Sequence, residues 1–469
     1  MKKNILRNKA WAVCGVLSLL AGTAYSDVEF HPKIVGASVD FGEIKSGKVE
    51  GGDWADQTLT RTSVYLTTSA TVDKKLGLFM TIGGLFWYPI HPGETTPERL
   101  VRFGPGVGQA QGIYSFGDPE HPSATLQFGL FGEKYNPDAT NLGEYLFRSG
   151  TYPGYLITGG WSYLNSADYL AQGVHFTLPT FGGKVTHEWT VFMERDYEPT
   201  SDFSPAYLIT AKPGQFLELG AGLEWAHALS LNPDRLSPDK THDDSINNGY
   251  SKVTKMPLRG ATDPATLAAL TTPGQIGFYT FRGFKAMGRV SLNFGDLLGL
   301  NPQASGDFKL YSEIALLGIE DQPYYYDKKS ERMPIMAGLT VPTFGILDKL
   351  DFEVEYHKSR FHNTVGAPFY YSLPIPLDDD GTQDNPYRYD VNSYPVAEQD
   401  SVSKAQTKDD WHWSVYASRK IVQGISFSAQ VASDHQRHPT GPEVKPSVEP
   451  PTLRPQDWYY VMRLDFGLF

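Results

Sequence analysis

Cysteine is almost missing from this chain of 469 residues: there is one, Cys14. No cysteine follows it, so no disulfide framework holds the rest of the chain together and no paired-thiol redox chemistry is available. Long apolar runs are missing too. After residue 26 no stretch of about 18 apolar residues occurs, which excludes a transmembrane helix. Helical periodicity is scarce, and Ala261–Leu270 is the one short helical candidate. Basic charge is in deficit, with 41 Lys and Arg against 53 Asp and Glu and a formal net charge of −12. Phosphate backbones bind basic surfaces, so nucleic acid is excluded as a partner.

What is present begins with a secretory pattern. Lys2, Lys3, Arg7 and Lys9 form a basic region, and an apolar run from Ala10 to about Leu20 follows. Ala24-Tyr25-Ser26 places small residues where a signal peptidase reads, so residues 1–26 are expected to be a signal peptide cleaved after Ser26. Cys14 sits inside the apolar run behind Val13, which does not fit a lipidation site. The mature chain, 27–469, then has 443 residues (469 less 26). Its net charge is −16, because the four basic residues leave with the signal. Aromatic residues make up 13% of the chain, a surplus suited to interface girdles of a membrane barrel or to sugar-binding surfaces.

The recurring pattern is strict alternation. Leu350, Phe352, Val354 and Tyr356 interleave with Asp351, Glu353, Glu355 and His357. Leu217, Leu219, Ala221, Leu223 and Trp225 interleave with Glu218, Gly220, Gly222 and Glu224, and Ile425, Phe427, Ala429 and Val431 with Ser426, Ser428 and Gln430. Such segments of about ten residues match the length of a tilted membrane strand. A soluble sandwich has the same period with its apolar face turned inward. Sixteen segments are predicted: 31–43, 60–72, 76–89, 107–117, 123–135, 169–180, 184–197, 205–213, 215–228, 279–294, 307–320, 333–341, 349–361, 410–420, 423–437 and 456–469. The links between them alternate in length. One set is short, and the other includes the long links 136–168, 229–278 and 362–409. Leu178-Pro-Thr-Phe-Gly182 and Val341-Pro-Thr-Phe-Gly345 both fall in the short set and read as one turn solution used twice.

With its signal, alternating segments, short and long links and a last strand from Asp457 to the terminal Phe469, the chain resembles bacterial outer-membrane β-barrel proteins, and sixteen-stranded porins in architecture. The resemblance implies an all-β fold: a single transmembrane antiparallel β-barrel over 27–469 with short periplasmic turns and long extracellular loops. It implies residence in the bacterial outer membrane, contact with its lipid, and a homo-oligomer as one possible assembly. In general porins the loop after the fifth strand folds into the barrel and narrows it, so 136–168 is the expected constriction loop. Its Glu144, Tyr145, Arg148, Tyr152 and Tyr155 are the candidate constriction residues. Such a segment is too apolar for free solvation, and either packing inside the barrel or capping its rim accounts for that.

If the apolar parity faces lipid, the opposite parity lines the interior. The candidate pore-lining residues are then Glu133, Glu188, Glu194, Glu218, Glu224, Lys285, Arg289, Lys309, Glu313, Glu353 and Glu355. Glu224, Lys285, Arg289 and Glu313 lie on three successive segments and form an acid–base–acid ladder. That ladder either sets a field across the passage or pairs within the wall. Asp378–Asp384 resembles a calcium loop only superficially, because Gly381 comes too early for an EF-hand. Gly104-Pro-Gly106-Val-Gly108 lacks the βαβ surroundings of a dinucleotide site and reads as the approach to a strand. No Gly-x-Ser-x-Gly elbow occurs, His187 has no second histidine at metal spacing, and no cofactor, metal or enzymatic activity is expected.

Three functions fit these features. The first is a porin-like channel for passive diffusion of small hydrophilic solutes or ions, leaning toward cations or sugars. The second is a structural or adhesive outer-membrane barrel plugged by its loops. The third is a soluble glycan-binding β-protein.

Overall fold

The computed structural model describes residues 28–30, 34–45, 58–90, 102–151, 169–193, 202–230, 254–255, 278–279, 282–300, 307–319, 329–358, 411–433 and 458–468. Sixteen long strands account for most of these. They are β1 (Ile34–Lys45), β2 (Thr58–Val72), β3 (Leu76–Ile90), β4 (Arg102–Gly117), β5 (Pro122–Glu133), β6 (Tyr169–Thr180), β7 (Val185–Met193) and β8 (Asp202–Gly214). The second half holds β9 (Leu217–Ala226), β10 (Gly283–Asn293), β11 (Lys309–Leu316), β12 (Ile335–Thr340), β13 (Lys349–Tyr356), β14 (Trp411–Val422), β15 (Ile425–Ser433) and β16 (Trp458–Leu468).

Every strand pairs antiparallel with its neighbour in sequence, and β16 pairs with β1 from Val35 opposite Leu468 to Lys45 opposite Trp458. The sheet is therefore a closed barrel. Closure matters physically, because in lipid an open edge would leave a row of backbone N–H and C=O groups without partners. Two short strands extend the same sheet: Val28–Phe30 against the end of β2, and Leu229–Ser230 against the start of β8. Thr254–Lys255 and Phe278–Tyr279 form a separate two-stranded ribbon.

Side-chain exposure follows the alternation that the sequence carries. Val354 is 39% exposed and its neighbour Glu355 is 0% exposed. Leu219, Leu223, Phe352, Ile314 and Met462 are exposed on the outer face, whereas Glu224, Glu313, Glu353 and Arg463 are buried. Phe427 and Val431 are half-exposed on the outer parity, and Ser428 is buried on the inner. The apolar face points out and the polar face in, the reverse of a soluble sandwich.

The turns show why the chain reverses where it does. Asp73 and Lys74 both have positive φ, at 51° and 59°, in the three-residue link between β2 and β3. That backbone suits the right-handed twist of a hairpin. After β6 the chain places Phe181 and Gly182 at φ 50° and 67°, and after β12 it places Phe344 and Gly345 at 51° and 78°. The repeated Pro-Thr-Phe-Gly sequence thus repeats a conformation. The link after β10 contains a short helix, α2 (Phe294–Leu298), which the strand pattern did not reveal. Asn293 caps it by accepting from the Asp296 N–H at 3.2 Å, and Gly299 ends it at φ 66°.

Some expectations are corrected at their boundaries. β8 begins at 202, not 205, whereas the expected start of β1 at 31 lies outside the described residues. β4 begins at Arg102, so Gly104-Pro-Gly106-Val-Gly108 lies inside a strand and pairs with β3 across a bulge at Thr81/Ile82. Glycines on both sides of that pairing (Gly83 opposite Gly106) let a glycine-rich stretch remain extended without side-chain conflict. Residues 1–26, Ala261–Leu270, the loop 362–409 with Asp378–Asp384, and Phe469 lie outside the described residues.

Candidate functional site

After β5 the chain turns into the barrel. Residues 134–151 hold one turn of helix, α1 (Tyr145–Arg148), and most of this segment is buried. Tyr135, Leu142, Tyr145, Leu146 and Phe147 pack with Phe131, Phe192, Leu208, Met287, Tyr311 and Met336 of the inner wall. Phe147 sits edge-on to both Tyr135 and Phe192, with ring centroids 5.2 Å apart in each case. The barrel thus contains an apolar core, made by the segment and the wall behind it. The wall makes room with glycine. A Cβ at Gly222 would fall 2.7 Å from Leu146 Cδ1.

Polar fastenings surround that core, and two wall carboxylates carry most of them. Glu353 on β13 accepts from the backbone N–H groups of Thr140 at 2.6 Å, Asn141 at 2.8 Å and Leu142 at 2.9 Å, and from the Tyr311 hydroxyl at 2.9 Å. Glu313 on β11 accepts from the Tyr135 hydroxyl at 2.6 Å, Asn136 Nδ2 at 2.8 Å, the Tyr145 N–H at 3.0 Å and the Glu144 N–H at 3.1 Å. Each carboxylate meets four donors, so burial is compensated by charge-assisted hydrogen bonds. Glu355 accepts from the Tyr145 hydroxyl at 2.9 Å and lies 3.1 Å from His412 Nδ1.

Lysines complete the frame. Lys285 Nζ pairs with Glu224 at 2.9 Å and donates to the Ser149 carbonyl at 3.0 Å and to the Leu146 carbonyl, at the C-terminal end of α1. Lys309 pairs with Asp138 at 3.0 Å, and Lys349 with Asp351 at 2.6 Å while donating to Thr140 Oγ1 at 2.7 Å. Within the segment, Arg148 pairs with Glu144 at 2.8 Å, both buried. Burial pushes the Glu144 carboxyl above the ordinary glutamate range, and the Arg148 guanidinium opposes that shift.

These positions locate the residues singled out in the sequence. Glu224, Lys285, Glu313, Glu353 and Glu355 face inward behind the segment. Glu133 faces inward and lies 2.9 Å from His175 Nδ1. Glu188 is half-buried on β7, opposite Thr177 and Leu208. The acid–base–acid ladder is corrected in its pairing. Arg289 stands opposite Glu313 in register but pairs with Glu218 at 2.7 Å, and Glu218 also meets Lys212 at 3.1 Å. Glu313 is turned to the donors of the segment instead. Glu194, Tyr152 and Tyr155 lie outside the described residues. Sequence reasoning missed Tyr135, Asn136, Asp138, Thr140, Tyr311 and Lys349. Tyr311 carried a usable signal, because it shares the inward parity of Glu313.

The rest of the interior differs in chemistry. Along β2 to β5, the inward positions within 63–71, 77–83, 109–115 and 125–131 carry no acid and no base. They hold hydroxyls and amides, with the Tyr65 and Phe79 rings, Ile113 and three glycines between them; Phe131, the last, belongs to the core under the segment. Thr67 and Thr81 hydroxyls lie 2.9 Å apart, and Gln127 donates to Gln111. These four side chains are half-exposed, unlike the buried polar groups behind the segment.

No family model and no curated protein sequence matches the chain. Among solved structures, the chain is similar to two mutants of the Rhodopseudomonas blastica porin. One is 8% identical with a TM-score of 0.41, the other 9% identical with a TM-score of 0.42. Each covers 94% of this chain and 100% of the other. The chain's own strand order and closure define its class, a sixteen-stranded antiparallel β-barrel. With an apolar outer face and a polar interior, it is porin-like in architecture.

Proposed function

We propose that the protein is an outer-membrane channel for passive diffusion of small hydrophilic solutes, and that 134–151 narrows it from one side. The observation that carries this reading is the divided interior. One stretch of wall is covered by the segment, and the stretch along β2 to β5 presents half-exposed polar side chains. A water-filled passage explains why hydroxyls and amides point inward along β2 to β5. An apolar outer face fits lipid, where charged groups on the strand exterior would cost about 2–4 kcal/mol for a midplane Lys or Arg.

The divided interior also bears on selectivity. Glu313 and Glu353 are engaged with the segment, and Glu218 and Glu224 are paired with basic residues. The half-exposed wall is uncharged over 63–71, 77–83, 109–115 and 125–129. A weak ion preference therefore fits better than a strong cation preference, with neutral polar solutes admitted by size.

Recording in a planar lipid bilayer tests the proposal. Purified, folded protein is expected to insert in discrete steps of ohmic conductance, with a small reversal potential across a salt gradient. Folded protein that never conducts would overturn the channel reading in favour of a plugged structural barrel.

A further inference from the structure

We infer that the uncharged wall of β2 to β5 is a binding lane for an uncharged, polyhydroxylated solute such as an oligosaccharide. The inference rests on the channel reading and adds a ligand class to it. Three observations point to that chemistry. First, the lane offers paired groups that both donate and accept: Thr67 with Thr81, and Gln111 with Gln127. Sugar hydroxyls are themselves donors and acceptors, so they match such groups in either sense. Second, the inward positions within 63–71, 77–83, 109–115 and 125–129 carry no fixed charge, so nothing there favours an ion over a neutral solute, and Glu133 at the end of β5 lies against His175.

The third observation is a ring laid against the wall. Tyr65 points inward on β2, and its neighbour across the strand pair is Gly36. A Cβ at Gly36 would fall 2.1 Å from Tyr65 Cζ, so the ring lies over the glycine rather than standing into the lumen. Tyr65 is half-exposed. A ring lying along a wall beside hydroxyl and amide groups pairs apolar contact for a sugar's C–H face with hydrogen bonds for its edge.

The test is titration of maltotriose against the ion current of single channels in a bilayer. Wild-type protein is expected to show a saturable fall in current. Tyr65→Ala and the double variant Gln111→Ala/Gln127→Ala should raise the half-blocking concentration by about three- to tenfold, the scale of a lost ring or amide contact. Gln111→Glu supplies a second readout that does not depend on sugar. It should shift the reversal potential toward cations if position 111 lines the path. Heat-modifiable migration in gels confirms that each variant is folded. Channels that conduct, but whose current falls only with solution viscosity and equally in all variants, would overturn the lane and leave the diffusion reading standing. Absence of any conductance would overturn both.

Discussion

Glu353 shows how much one side chain organises here. Its two oxygens receive three successive backbone N–H groups and a tyrosine hydroxyl. Glu353→Gln would keep one acceptor oxygen and turn an NH2 toward the donors on the other, leaving about half of them without an acceptor. Hydrogen bonds to a charged group contribute about 1.5–3 kcal/mol each when one partner is lost, so the segment should loosen from the wall. We expect larger and noisier single-channel conductance, together with a lower melting temperature in detergent. Unchanged conductance would show that residues 140–142 stay in place without the carboxylate. Lys285 gives a complementary case. Lys285→Met removes the ion partner of buried Glu224 and the cap of α1, and about 3–5 kcal/mol is the usual scale for breaking a buried pair. Adding Glu224→Gln should restore part of the loss, which a double-mutant cycle on thermal stability would measure.

At the scale of elements, glycines separate positions of strain from positions of contact. Gly182 has φ 67° and nothing within 4 Å of an added Cβ. Gly182→Ala should therefore cost only the left-handed backbone term, about 1–2 kcal/mol. Gly129 has φ 110°, and its Cβ would fall 2.3 Å from the Ala110 carbonyl oxygen of the adjacent strand. Gly129→Ala must distort the β4–β5 ladder, so its loss in melting temperature should exceed that of Gly182→Ala; equal losses would contradict this ranking. The strands themselves were legible in the sequence, because period-two alternation and turn residues are local signals. All sixteen long strands among the described residues overlap the sixteen expected segments. The apolar character of Tyr145, Leu146 and Phe147 marked the segment as unsuited to free solvation. Its fastening was not legible. The donors at Thr140, Asn141 and Leu142 are backbone groups, which any residue supplies, and Glu353 looks the same whether it meets water or a loop. The lane along β2 to β5 was equally silent, since serine, threonine and glutamine in alternation also describe an ordinary solvated face.

At the scale of the whole molecule, the two faces make a direct prediction. The chain after residue 26 has no native cysteine, so single cysteines report cleanly. In lipid vesicles, Thr81→Cys and Gln127→Cys should react with a water-borne thiol reagent, and Val64→Cys and Val107→Cys should not. The reverse pattern would exchange the faces of the barrel. Glu355→Cys should stay unreactive although it points inward, because the segment covers it. The seam between β1 and β16 has a further consequence, in time rather than in space. Val35 and Leu468 pair across 433 positions of chain (468 less 35). Both seam strands carry unpaired backbone groups until they meet, and β16 is made only after the fifteen other long strands. Loop closure over such a distance is slow, and exposed edges recruit other chains meanwhile. The barrel cannot therefore mature strand by strand as it emerges. It must be kept from its neighbours as an unclosed sheet and sealed in one late event, so truncating a few residues from β16 should lower the yield of closed barrels far more than it lowers the stability of those that close.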